Sequence, residues 1–301
     1  MTTSATTAPR HRRHRPEAVF IGTVVGVYLV YAIVFTFGPM VFSLFLSFFD
    51  WPVVKAPTFV GLDNFKRLLT QDPLFYKAVG NMARYTVINV PVSVVSSLGL
   101  ALILDRTRRF KTFFRTAYFL PNVTSLVACA VVWNWLYQPS FGLINQMLLR
   151  AGLPRQKWLT SPELSLYSVM IMNIWKATGY RMVIFMGALQ NIPEVYNEAA
   201  AIDGASGWQI LRYIKIPQLM PIIAYVSMTT TIGCLNIFEP IKIMTDGGPL
   251  NSSITIVMYL YRRAFEQFQM GYASTIGLAL LVMIVVLTLF QFRITKPKFE
   301  Y

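Results

Sequence analysis

The chain has 301 residues, of which 55% are hydrophobic and only 13% charged, and its mean hydropathy is +0.50. A soluble domain carries about a quarter charged residues, so an ordinary water-soluble globular protein is excluded and lipid is the expected solvent for most of the chain. The formal charge of +14 would point a soluble protein towards nucleic acid, but the cations fall in short runs beside long apolar segments, where Lys and Arg keep a loop in the cytoplasm, and no nucleic-acid partner is expected.

The basic tail 1–17 carries Arg10, Arg12, Arg13 and Arg15 together with both histidines, His11 and His14, which reads as a loop anchor and not as catalytic machinery. The apolar run from Ala18 to Phe49 is longer than the roughly 7–15 residues of a signal-peptide core, and no A-x-A site closes it. It is predicted as a retained first transmembrane helix over 18–48. Further segments able to cross a hydrocarbon core, which takes about 20 apolar residues, lie at 85–104, 116–137, 164–190, 217–243 and 271–292. Pro39, Pro91 and Pro121 fall within or at the start of spans, which membrane helices tolerate where neighbours satisfy the freed carbonyls. Between the first two spans, Leu62, Phe65, Leu68 and Leu69 recur at helical spacing and predict a short interfacial helix. The stretch 138–163 reads as a turn, a short amphipathic helix and a Ser161-Pro162 lead into span four, with Trp133, Trp135 and Tyr137 marking the outer interface. Cys129 and Cys234 lie inside apolar segments with no metal or disulfide spacing, so they are packing residues, and no cofactor or metal is expected.

Six spans place both termini on one side. The segments assigned to the inner side, 1–17, 105–115, 191–216 and 293–301, hold 14 Lys and Arg in 63 residues. The opposite loops, 49–84, 138–163 and 244–270, hold 10 in 89. The density is about twofold higher on the first set, which puts both termini in the cytoplasm. The expected organisation is a cytoplasmic tail 1–17, a membrane domain 18–292 and a cytoplasmic tail 293–301.

The inner loop 191–217 is predicted as a compact helix–turn–helix. Pro193 suits a first helical turn, Glu194 its positive end, Gly204 the turn, Ser206 the cap of the second helix, and Pro217 the start of span five. Small residues there let another protein's backbone come close, with Glu198 and Asp203 able to pair with basic groups at the rim. The string Glu198-Ala199-Ala200, Gly204, then Ile214, Ile216 and Pro217 resembles the EAA motif of ABC importer permeases, with Ile216 where Leu is more usual. Phe59-Val-Gly-Leu-Asp-Asn-Phe, Phe114-Arg-Thr-Ala-Tyr-Phe-Leu-Pro121, Ser140-Phe-Gly-Leu-Ile-Asn, Ile174-Trp-Lys-Ala-Thr-Gly-Tyr180 and Thr245-Asp-Gly-Gly-Pro249 extend the likeness over nearly the whole chain. They are similar to the carbohydrate-uptake branch, and in particular to the larger membrane subunit of maltose-type transporters without its extra N-terminal spans and periplasmic insertion.

The resemblance implies an all-α membrane protein of the type I importer permease architecture, with six transmembrane helices and a coupling helix that seats in a cleft of an ATPase. Glu198, Ala199, Ala200, Asp203, Gly204 and Ala205 are the implied ATPase contact. The implied partners are a second permease, two ATP-binding subunits and an extracytoplasmic solute-binding protein, in the cytoplasmic membrane of a prokaryote, with a di- or oligosaccharide as cargo. Glycerol 3-phosphate or a polyol derivative is the alternative cargo, since its permeases share these motifs.

Polar groups are costly in lipid and mark either a solute pathway or helix–helix contacts. Asn173, Lys176 and Tyr180 share one face of span four, with Arg181 placed on another face; Thr230, Asn236, Glu239 and Lys242 lie in span five, with Glu239 and Lys242 spaced to neutralise each other. Aligned on its motifs, the maltose-type sugar site falls on Asn122 and Leu126, on Asn173, Lys176, Ala177 and Tyr180, and on Thr230, Cys234 and Ile237. The commonness of Trp-Lys-x-x-Gly-Tyr in this branch implies a structural or gating role for Lys176. A secondary transporter would not account for the EAA loop, and no zinc-peptidase motif, nucleophile elbow or phosphate-binding loop appears, so the chain is expected to be non-catalytic and powered by a partner.

Overall fold

A computed structural model describes residues 15–107 and 109–295. Most of both predicted tails, with Arg10, Arg12, Arg13, His11 and His14, and also Arg108, lie outside the described residues.

The first span is one long helical rod. α1 (Arg15–Ala32) passes through a π-helical turn at Ile33–Phe37 into α2 (Gly38–Leu46). Pro39 has no N–H and its ring crowds the carbonyl four residues back, and the widened turn absorbs that defect, with the Gly38 N–H bonded to Ile33 O. None of the most apolar stretch of this rod is buried, as suits a surface solvated by lipid. β1 (Phe49–Asp50) and β2 (Thr58–Phe59) form a minimal antiparallel pair, Phe49 opposite Phe59, followed by α3 (Asp63–Thr70), the predicted interfacial helix, with Leu68 turned inward.

α4 (Pro73–Arg106) begins well before the predicted span at 85, because Asp72 caps it: the carboxylate accepts from the N–H groups of Leu74 (3.1 Å) and Phe75 (3.0 Å), and Pro73 needs no partner at the first position. The same buried carboxylate accepts from the hydroxyls of Tyr259 and Tyr272 and stands 4.0 Å from Arg263. Burial alone would raise its pKa, but these hydrogen bonds and the nearby guanidinium outweigh burial and hold it below the usual carboxylate value.

The predicted third span is not a single rod. α5 (Lys111–Val123) and α6 (Leu126–Leu136) meet at 99°, with Thr124 and Ser125 extended between them, and Pro121 sits in the last turn of α5 instead of starting the helix. α7 (Leu143–Arg150) is the predicted amphipathic loop helix, and α8 (Ser165–Gln190) follows. α9 (Glu194–Ile202) and α10 (Gly207–Ile210) form a hairpin; α10 runs without a break through a π-helical turn at Leu211–Lys215 into α11 (Ile216–Leu235). Pro217 therefore lies within one continuous helix of 29 residues, Gly207–Leu235, and does not begin it. That helix stops at Leu235, short of the predicted 243: Asn236 ends it, and Pro240, lacking an N–H, opens a separate α12 (Glu239–Met244). α13 (Ile256–Tyr261), a π-helical turn at Arg262–Glu266 and α14 (Met270–Thr295) complete the described chain.

Among the described residues, four helices are long and apolar enough to cross a membrane, Val19–Leu46, Pro73–Asp105, Gly207–Leu235 and Met270–Ile294, and the bent pair α5–α6 is a fifth candidate. α8 is also 26 residues long but carries Lys176 and Arg181 in its middle. It forms the centre of the bundle with α4 and α11: Ala101, Leu104, Met182, Phe185, Leu219 and Val226 pack together at one level, and Met82, Tyr85, Met172, Leu235 and Ile241 belong to a larger core that reaches α12–α14.

Candidate functional site

A cleft of about 360 Å³ opens where α6, α8, α11 and α12 converge. Leu126 starts α6, Asn173 and Arg181 come from α8, Thr230, Gly233 and Cys234 from the end of α11, and the break Asn236–Phe238 with Glu239 and Pro240 forms the remaining wall. The ending of α11 thus has a local purpose: it exposes polar backbone and the Asn236 side chain at the cleft instead of continuing a closed helix. Asn236 Nδ2 donates to Ile232 O at 2.9 Å, and Asn173 Nδ2 donates to the buried Tyr85 hydroxyl of α4 at 2.8 Å. The Thr230 hydroxyl is engaged with Val226 O at 2.6 Å on its own helix.

Of the nine residues singled out from sequence, Leu126, Asn173, Thr230, Cys234 and Ile237 meet at this cleft, whereas Asn122, Lys176, Ala177 and Tyr180 do not line it. Tyr180 is exposed on the bundle surface, and Asn122 and Ala177 are half-buried.

Lys176 has a different occupation. Its ammonium donates to the carbonyls of Pro121 (2.9 Å), Asn122 (3.1 Å) and Thr124 (2.8 Å), closing the C-terminal end of α5 where the bend leaves those oxygens without helical partners. Three residues on, Gly179 lets the two helices touch, since a Cβ there would stand 1.8 Å from Tyr118 O. Trp175 packs on Trp133 of α6, ring centroids 5.5 Å apart. The Trp175-Lys-Ala-Thr-Gly-Tyr180 string is therefore a seat for the broken helix α5–α6.

Two expectations are corrected. Arg181 does not face elsewhere: helical side chains point back towards the N-terminus, and this long one lines the same cleft as Asn173, two turns earlier on α8. Its Nη1 is buried without a hydrogen-bond partner, and Arg181 has no ion pair among the described residues. Assigning faces by backbone spacing alone missed it; side-chain length was the available signal. Glu239 and Lys242 do not pair either: Lys242 Nζ stands 2.8 Å from both Asp246 and Glu266, each better placed because α12 is a short separate helix whose end meets the turn after it.

The loop 191–217 is the helix–turn–helix anticipated. Pro193 stands as the N-cap of α9. At the other end Gly204 takes φ +77°, its N–H bonds Ala201 O (3.1 Å), and the Ala205 N–H bonds Ala200 O (2.9 Å), which is the Schellman closure. Ser206 and Gln209 form a reciprocal capping box on α10. Glu198, Ala199, Asp203 and Gly204 are exposed, Ala200 and Ala205 half-buried, and Ile202 is 87% exposed. A rigid, exposed hairpin with an apolar tip results.

A family model described as "Binding-protein-dependent transport system inner membrane component" matches residues 76–297. A probable ABC transporter permease protein of Pyrococcus horikoshii is 34% identical over 280 residues, 92% of this chain and 96% of that protein. The lactose transport system permease protein LacF of Rhizobium radiobacter is 35% identical over 271 residues, 88% of this chain and 90% of LacF. Among solved structures, a chain of the bacterial alginate ABC transporter, crystallised with its alginate pentasaccharide-bound periplasmic protein, has the same fold: TM-score 0.83 over 93% of this chain and 96% of that one, at 24% identity.

Proposed function

The chain belongs to the family of binding-protein-dependent transport system inner membrane components, and on that premise we propose that it is the non-catalytic permease subunit of an ABC importer for a di- or oligosaccharide. It pairs with a second, related permease, is driven by two separate ATP-binding subunits, and takes its cargo from an extracytoplasmic solute-binding protein. Similarity to a lactose permease supports a sugar as cargo. α8 is the remaining membrane crossing, which makes six and leaves both termini in the cytoplasm of a prokaryotic cell. In this reading Glu198, Ala199, Ala200, Asp203, Gly204 and Ala205 contact the ATPase, and Leu126, Asn173, Thr230, Cys234 and Ile237 border the solute path. Lys176 orients the broken helix beside that path.

The observation that carries the reading is the uninterrupted helix Gly207–Leu235. One end belongs to the exposed hairpin and the other supplies Thr230, Gly233 and Cys234 to the cleft. A rigid helix has no slack over its length, so a displacement of the hairpin by an ATPase is delivered to the cleft wall. Co-expression with the cognate ATPase tests it: Glu198→Lys and Gly204→Val are expected to cut both ATPase co-purification and ATP-driven sugar uptake at least tenfold while the permease still inserts. Undiminished co-purification and uptake in both variants would sink the proposal.

A further inference from the structure

Arg181 is one of two charged residues that line the cleft; its Nη1 is buried without a hydrogen-bond partner, and it has no ion pair among the described residues. Glu239, the other charged residue of the lining, is exposed and forms no ion pair with it among the described residues. Apart from Glu239 the residues that line the cleft with it carry no formal charge, among them Thr230, Cys234 and Asn173, whose amide donates to the Tyr85 hydroxyl. A guanidinium keeps its charge in a protein, and an isolated charge in a membrane bundle is costly and marks a pathway or a missing partner. Its fork of N–H groups matches a carboxylate or phosphate in two parallel hydrogen bonds. Around it, Asn173 and Asn236 supply amide groups for hydroxyls, and the exposed Glu239 carboxylate is an acceptor suited to a second set of hydroxyls.

We infer that Arg181 is a specificity-determining contact for a solute bearing an anionic group, a uronate carboxylate or a phosphate ester, which enters with that group foremost and leaves its hydroxyls between Asn236 and Glu239. This rests on the importer reading and narrows it from sugars in general to acidic sugars or sugar-like phosphates. A neutral disaccharide would leave the guanidinium desolvated and unpaired at every passage, whereas an anion satisfies it.

Equilibrium dialysis of the purified full transporter complex in nanodiscs, with radiolabelled digalacturonate, glycerol 3-phosphate and lactose, reads the site directly and separates the two anionic classes. At least one anionic probe is expected to bind tenfold or more tightly than lactose. Arg181→Gln removes that preference, reducing anion binding at least tenfold and changing lactose binding less than twofold, and Arg181→Lys restores most of it. The inference is overturned if lactose is preferred or if neither anion binds, as when an acidic residue of the second permease already neutralises Arg181. It is equally overturned if Arg181→Gln weakens anion and lactose alike, or if Arg181→Lys fails to rescue. ATP-driven uptake by the same complex reports on the importer reading independently: its loss with selective anion binding intact would remove that reading and leave the site standing.

Discussion

Lys176 and Asp72 each use a buried charge to close a helix end, one the C-terminus of α5 and the other the N-terminus of α4. Removing the Lys176 ammonium leaves three carbonyls unpartnered at the bend, so Lys176→Met is expected to lower unfolding free energy by about 2 kcal/mol, measured by denaturant titration in detergent, with Lys176→Arg recovering part of the loss. Asp72 titrates below its ordinary value in the fold, because its hydrogen bonds outweigh its burial. Its stabilisation is therefore complete above about pH 4, the unfolded value, and is lost as pH falls through the lower folded value. Asp72→Asn removes the acceptor for Tyr259 and Tyr272 and is expected to be less stable than the parent at pH 7, with the gap narrowing in acid; a gap that stays constant from pH 7 to pH 3 contradicts this. The sequence carries only part of this. Lys176 stands out as a costly polar group on the face of Asn173 and Tyr180, and its motif implies a structural or gating role, but its partners are backbone carbonyls, which spacing does not reveal. Asp72 drew no notice, since its tyrosines arrive from 187 and 200 residues away.

At the level of the helices, each predicted apolar run coincides with helix in the fold, but the runs do not show where the helices break. Hydropathy integrates over many residues, so α5–α6 and α11–α12 each read as one segment, while the bend and the stop depend on two or three residues and on a lysine from another helix. The hairpin α9–α10 is legible because its signals are local, Gly204 for a positive φ and Ser206 for the cap of α10, while the reciprocal bond from Gln209 is a finding of the structure. Gly179 offers the sharper test of how α5 and α8 fit. A side chain there meets the Tyr118 carbonyl, so Gly179→Leu is expected to separate the helices and to abolish stable, monodisperse protein after extraction. Gly187, on the same helix with nothing within 4 Å of an added Cβ, serves as the control, and Gly187→Ala should behave as the parent.

For the molecule as a whole, the orientation in the membrane is inferred from the distribution of Lys and Arg, and the proposed coupling route requires the hairpin to lie on the cytoplasmic side. The cytoplasmic assignment of loop 191–216 rests on a count over all loops, because this loop itself carries only Arg212 and Lys215. Cys129 and Cys234 are both buried, so a cysteine added at an exposed position is the reactive one. Asp203 and Glu163 are both exposed and lie on loops predicted to face opposite sides. In intact cells a membrane-impermeant maleimide is expected to label Glu163→Cys but not Asp203→Cys, and permeabilisation should make the second react. Labelling of Asp203→Cys from outside would put the hairpin beyond the reach of any ATP-binding subunit. The helix Gly207–Leu235 would then join the cleft to the wrong compartment, and the coupling route through it would have to be abandoned even with the fold unchanged.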